Sequence, residues 1–116
     1  MEYKFGWQGN HISLNEWYRG EHWTKRYNTK KKWTVLFLEI LQQYKPFKLE
    51  RYCLTLEYNS RLDPSNTITM VKLFEDFLIK RDIIKDDSKK YCRGITITPR
   101  DDFDNKQYCI TLKPQL

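Results

Sequence analysis

Asp63, in a turn before a proline, and the adjacent pair Asp86–Asp87 are the residues of this 116-residue sequence whose types could do chemistry together. Carboxylates are hard oxygen donors of the kind Mg²⁺ takes. Acids around such a cation, in a basic protein, are what phosphodiester hydrolysis needs. The metal activates water and offsets charge building on the phosphate, and a nearby Lys adds to that stabilisation. The acids flank one helical segment, so they meet only if the chain folds back on itself. The same residues also have an ordinary reading, because Asp before Pro and Asp-Asp-Ser are common turn sequences.

The charge distribution points to a polyanion. Lys and Arg number 21 against 15 acids, a net charge of +6, and the excess is local. Arg19, Lys25, Arg26, Lys30, Lys31 and Lys32 share one window with a single acid, Glu21, so this window carries +5 of the total. A stripe of this kind neutralises phosphates and releases their counterions, which makes nucleic acid the leading partner class. Trp17, Tyr18, Trp23, Tyr27 and Trp33 are interleaved with the bases. Such aromatics stack on unpaired nucleobases, and they equally anchor a helix to a sheet.

Other chemistries find less support. His11 and His22 sit in the same aromatic-basic region and read as polar loop contacts. There is no Gly-rich phosphate loop, GxSxG or HExxH motif. Cys53, Cys92 and Cys109 form no CxxC pair, which argues against structural zinc and for small apolar filler kept reduced. No apolar run reaches the roughly 20 residues of a membrane span, and the first residues resemble no secretory signal. These features lead us to expect a soluble, cytoplasmic protein without a small-molecule cofactor.

A mass of 14.3 kDa with 40% hydrophobic residues suits one domain over 1–116. Tyr3, Phe5 and Trp7 alternate as in a strand over 1–8. Trp33, Leu36, Phe37, Ile40, Leu41 and Tyr44 form one helical stripe, which should begin around 24–29 and end before Pro46. Residues 49–58 read as a central strand and 59–65 as a polar loop. Asn66 is a plausible N-cap for a helix over 67–80 with Met70, Val71, Phe74, Phe77 and Leu78 on its apolar face. Lys72 and Asp76 share the opposite face. Segments 90–98 and 106–112 read as strands, and Asp101, Asp102, Asp104 and Asn105 between them suggest a hairpin loop. The expected fold is α+β: a small two-layer sandwich in the order β-α-β-α-β-β, a mixed sheet with two helices on one face.

Three pieces in order resemble the RusA family of Holliday junction resolvases: Arg61-Leu62-Asp63-Pro64-Ser65-Asn66, then Lys72-Leu73-Phe74-Glu75-Asp76-Phe77-Leu78, then Ile83-Ile84-Lys85-Asp86-Asp87-Ser88. They are similar to that family's D-x-D-N signature opening a helix, its Lys followed four residues later by Asp, and its D-D pair. Asn15, Tyr18 and Arg19 resemble its early Asn-aromatic-Arg segment. The likeness spans roughly 12–98. It implies a homodimeric, Mg²⁺-dependent endonuclease, with Mn²⁺ as a substitute, that nicks four-way DNA junctions symmetrically in recombination and repair. Proteins of this kind are typical of phages and prophages.

Carried over by position, Asp63 matches the first metal-binding Asp, Asp87 the last with Asp86 beside it, and Lys72 the catalytic Lys. Two departures stand out. Ser65 replaces the second Asp of the signature, leaving Asn66 or Glu57 as substitute oxygens and raising the alternatives of a binding module that has lost catalysis or a small basic interaction domain. Six positions separate Asn66 from Lys72, three more than in the family pattern.

Overall fold

The structure, a computed structural model, describes residues 1–13, 17 and 23–115, the side chains of 23–25 excepted. Strands β1 (Tyr3–Gln8), β2 (Tyr52–Asn59), β3 (Cys92–Pro99) and β4 (Gln107–Pro114) form one sheet, and helices α1 (Trp23–Leu41) and α2 (Ile68–Lys80) cover it. This is the expected α+β class: among the described residues, a mixed four-stranded sheet carries helices α1 and α2.

Alternation decides which face the helices cover. In β2, Tyr52, Leu54, Leu56 and Tyr58 are buried while Cys53, Thr55, Glu57 and Asn59 are half-buried on the other side. Tyr108, Ile110 and Leu112 of β4 and Phe5 and Trp7 of β1 complete the inner face. Both helices meet that face through aromatic rings. Trp7 lies 5.4 Å from Trp33 and 5.8 Å from Phe37, and Phe74 lies 4.8 Å from Phe5 and 5.1 Å from Phe37. Edge-on contacts at these centroid distances are the favoured aromatic geometry.

The sheet order is β1-β4-β2-β3. β2 is therefore central, antiparallel to β4 on one side and parallel to β3 on the other. This overturns the hairpin expected between 90–98 and 106–112. The turn residues between those strands do turn the chain, but the turn passes over the end of β2 instead of closing a two-strand ribbon. Its backbone bonds go to that strand: Arg100 N–H donates to the Tyr58 carbonyl at 2.8 Å, and Lys106 N–H to that of Asn59 at 2.7 Å. The β2–α2–β3 unit is a parallel crossover through a helix, which places the two loops flanking α2 at opposite ends of the strands.

Smaller departures have local causes. Helix α1 stops at Leu41, short of Pro46, and tightens into turns in which Gln43 and Tyr44 N–H bond the carbonyls three residues back. Tyr44 thus leaves the helical stripe, and its hydroxyl bonds the backbone of Lys4. Asn66 is no N-cap. It lies inside a 3₁₀ turn, Pro64–Thr67, that precedes α2. The three cysteines are free thiols and half-buried: Cys92 packs against the core as expected of apolar filler, whereas Cys53 and Cys109 lie on the open sheet face. Among the described residues no helix is long and apolar enough to cross a membrane.

Candidate active site

Helix α2 presents two sides. Val71, Phe74 and Leu78 point into the core, and Lys72 stands exposed. Glu75 breaks the pattern: it occupies a core-facing position with 1% of its surface exposed. Such a carboxylate needs partners, and Tyr52, also fully buried, donates its hydroxyl to Glu75 Oε2 at 2.6 Å.

The segment after α2 brings the acidic pair back to the helix. Ile83 and Ile84 are 5% and 2% exposed and anchor it in the core. Ile83 N–H bonds the Leu78 carbonyl at 2.9 Å, and the Ile83 carbonyl accepts from Leu49 N–H at 2.8 Å. Asp82, at φ 60, supplies the left-handed residue that this reversal requires. The Ser88 carbonyl then accepts from both Tyr91 and Cys92 N–H, launching β3. The outcome is a contact between two separate motifs: Lys72 Nζ donates to Asp87 Oδ2 at 2.7 Å. Lys72 also stands 3.9 Å from Glu75 Oε1. Asp76, on the same helix, adds a weaker electrostatic contribution that raises Lys72.

Electrostatics follow from the arrangement. The hydrogen bond from Lys72 holds the Asp87 carboxyl below the usual carboxylate range, and the same bond raises Lys72 against the opposing effect of its burial. Burial pushes Glu75 up, only partly countered by the Tyr52 hydroxyl and the Lys72 charge. Burial and then Glu75 hold Tyr52 far above the ordinary phenol range. Cys92 is raised by burial, with the Glu75 charge adding to it.

The other predicted residues are placed as follows. Asp63 is exposed just before the 3₁₀ turn and makes no capping bond. Its charge is felt at Tyr58, whose hydroxyl donates to the Leu62 carbonyl at 2.7 Å. Tyr58 lies six residues along β2 from Tyr52, about 20 Å at strand rise, so Asp63 stands apart from Lys72 and Asp87. Asn66 is half-buried, with its N–H on the Asp63 carbonyl at 2.9 Å. Glu57 is committed to an ion pair with Arg100. His11 makes the expected polar contact, its ring Nδ1 3.0 Å from the Tyr108 hydroxyl.

In the basic window, Arg26 donates to the Trp17 carbonyl at 2.8 Å with its guanidinium 5.3 Å from the indole centroid, and Lys30 Nζ lies 5.9 Å from the same ring. Lys31 and Lys32 are exposed on α1. Arg19, the Lys25 side chain, and Asn15, Tyr18 and His22 lie outside the described residues. Lys30 and Lys72 border one cleft, which brings one lysine of the basic helix to the same opening as Lys72.

Glu75 and Tyr52 are the site residues that the sequence reading missed. The signal was present: Val71, Glu75 and Leu78 keep helical spacing, which marks an acid on the core face.

Among the described residues, no three His, Cys, Asp or Glu side chains converge as a metal-holding group. Mg²⁺ rarely takes an all-protein cage. It is commonly held by one or two carboxylates with water and substrate phosphates completing the shell. Asp86, exposed, and Asp87, with a quarter of its side chain exposed, fit that smaller donor set; Asp63 does not join it. Compared with family models and with curated proteins, the chain matches none.

Proposed function

We propose that the protein is a RusA-type endodeoxyribonuclease that binds branched DNA and nicks it at the Lys72–Asp87 site, acting as a homodimer. The observation that carries this reading is the 2.7 Å contact between Lys72 and Asp87. Two motifs fifteen residues apart supply the two ends of one ion pair, and its Lys72 borders the same cleft as Lys30 of the basic helix.

The Lys72 ammonium, half-exposed, stands where a phosphodiester would lie across the mouth of the site and offsets the charge developing there. Glu75 and Asp87 hold that ammonium charged and aimed. Arg26, Lys30, Lys31 and Lys32 neutralise phosphates farther along the DNA. Asp86 and Asp87 would hold Mg²⁺, which when bound supplies an activated water and further neutralises the phosphate. Two related sites in a dimer suit paired cuts across a two-fold junction.

A second reading has its own support. Ser65 stands where the family signature has an acid, and Asp63 lies apart, which favours a binding module on the same fold that has lost catalysis. Incubating the purified protein with a labelled four-way junction and with plain duplex, in Mg²⁺, Mn²⁺ or EDTA, separates the two. The nuclease reading expects paired nicks near the crossover, lost in EDTA and reduced at least about 100-fold in Asp87→Asn and Lys72→Ala. Asp63→Asn should weaken cleavage less than Asp87→Asn. Tight junction binding without nicks in any metal would leave the binding module. Absence of salt-dependent DNA affinity would leave a small basic interaction domain.

A further inference from the structure

Between α1 and α2 the surface opens into a cleft of ≈ 460 Å³, inside the range of roughly 300–1,000 Å³ typical of small-ligand sites. One wall is the Trp17 indole and the facing wall is aliphatic, Ile68 and Leu73. Lys30 and Lys72 line the cleft together with one acid, Asp76, and Arg26 lies over the same indole, so cations outnumber the acid there. Thr69 also lines the cleft and is only 5% exposed, and its hydroxyl has no hydrogen-bond partner among the described residues.

That hydroxyl is unusual for this chain. Helical threonines normally return the bond to a carbonyl of the preceding turn. Thr34 does so to Lys30 at 2.9 Å and Thr67 to Pro64 at 2.7 Å. Thr69 does not, and a buried unpaired hydroxyl costs stability unless something fills the space beside it.

We propose that this cleft holds one unpaired nucleotide of a DNA strand, with its base between the Trp17 indole and Leu73, the Thr69 hydroxyl bonding the base, and its phosphate at Lys30. The assignment rests on the branched-DNA reading above and deepens it. A slot with one aromatic wall, one aliphatic wall, a neutral hydroxyl and two lysines against the single acid Asp76 matches the parts of a nucleotide. Bases within a duplex are stacked and cannot enter a concave slot, whereas a branch point frees them.

The full-length protein would be tested in EDTA, so that binding is read without cleavage. The probes are a duplex carrying one unpaired 2-aminopurine, the same duplex fully paired, the mononucleotide dAMP, and a glutamate-rich peptide. The wild type should bind the bulged duplex more tightly than the paired one and quench its 2-aminopurine fluorescence. Thr69→Val and Trp17→Ala should each weaken bulged-duplex binding roughly tenfold and leave paired-duplex binding unchanged. Thr69→Val should also keep or raise the Tm, so its loss of affinity cannot be assigned to unfolding.

Equal binding of bulged duplex by both variants and the wild type overturns the proposal, as does equal binding of bulged and paired duplex by the wild type. dAMP binding as tight as that of the bulged duplex overturns the assignment to a strand in favour of a free nucleotide. A Trp17-dependent response to the peptide alone overturns it in favour of an acidic protein ligand. Lack of affinity for every DNA probe would instead remove the branched-DNA reading on which the proposal rests.

Discussion

An acid at a core position must be justified by its neighbours, and at Glu75 these are the Tyr52 hydroxyl and the Lys72 ammonium. Burial dominates, so the folded protein protonates Glu75 more readily than the unfolded chain does. A raised carboxyl pKa means that the folded state holds more protons, so stability falls as pH rises above the ordinary value of 4.5 and through the folded value. Asp87 acts in the opposite sense in a different window. Its lowered pKa contributes stability that is present above its ordinary 3.8 and lost as pH falls through the folded value. Glu75→Gln keeps an acceptor for the Tyr52 hydroxyl and removes the charge. Denaturant unfolding of wild type and Glu75→Gln at a series of pH values should therefore show the variant gaining relative stability as pH rises above 4.5. A stability difference that does not change with pH would assign Glu75 no titration there. Lys72 gives a companion readout: its raised pKa, set first by the Asp87 hydrogen bond, should fall in Asp87→Asn when followed by NMR at the side-chain nitrogen.

At the scale of elements, the site depends on how the segment after α2 is fastened. Ile83 and Ile84 are the fasteners, and Phe74 is a comparably buried residue whose ring contacts run to Phe5 of the sheet and Phe37 of α1. Ile84→Ala should cost about 2–5 kcal/mol and lower the Lys72 pKa, because Asp87 loses its anchorage. Phe74→Ala should cost about 3–5 kcal/mol and leave the Lys72 titration in place. Denaturation and the same NMR titration check both, and equal effects on Lys72 would mean that the segment is held by something other than its isoleucines. The same comparison shows what the chain reveals about itself. Strand β2 was readable because alternating burial forces alternating residue types, and α1 and α2 because their apolar stripes keep helical spacing. The neighbour of β3 was not readable. The loop 100–106 declares a turn through its composition, but whether the returning strand pairs beside β3 or across β2 depends on backbone bonds to Tyr58 and Asn59, which no local pattern encodes. The 3₁₀ turn at Pro64–Thr67 escaped for a similar reason, since Pro and Asn suit the start of an α-helix equally well. The Lys72–Asp87 approach was suggested by the motifs; its geometry came from the two isoleucines.

Across the whole molecule, +4 of the net charge of +6 falls on α1, five bases against Glu39, and Lys30 of that helix borders the same cleft as Lys72. The members of that stripe are not equivalent. Lys30 lies over Trp17 at the cleft, while Lys31 and Lys32 are exposed on the turn beside it, free to follow a phosphate backbone. Each phosphate contact releases condensed counterions and contributes roughly 0.9 to the slope of log affinity against log salt. Replacing Lys30, Lys31 and Lys32 together by Ala should therefore reduce that slope by roughly 2–3 for a paired duplex, with binding weakened most at low salt. Lys30→Ala alone should take away about one contact from the slope and, unlike Lys31→Ala, also reduce discrimination between bulged and paired duplex. Titrations over a range of salt concentrations measure both quantities in one experiment. A triple variant whose slope equals that of the wild type would assign the stripe to solubility and move the DNA path elsewhere on the surface.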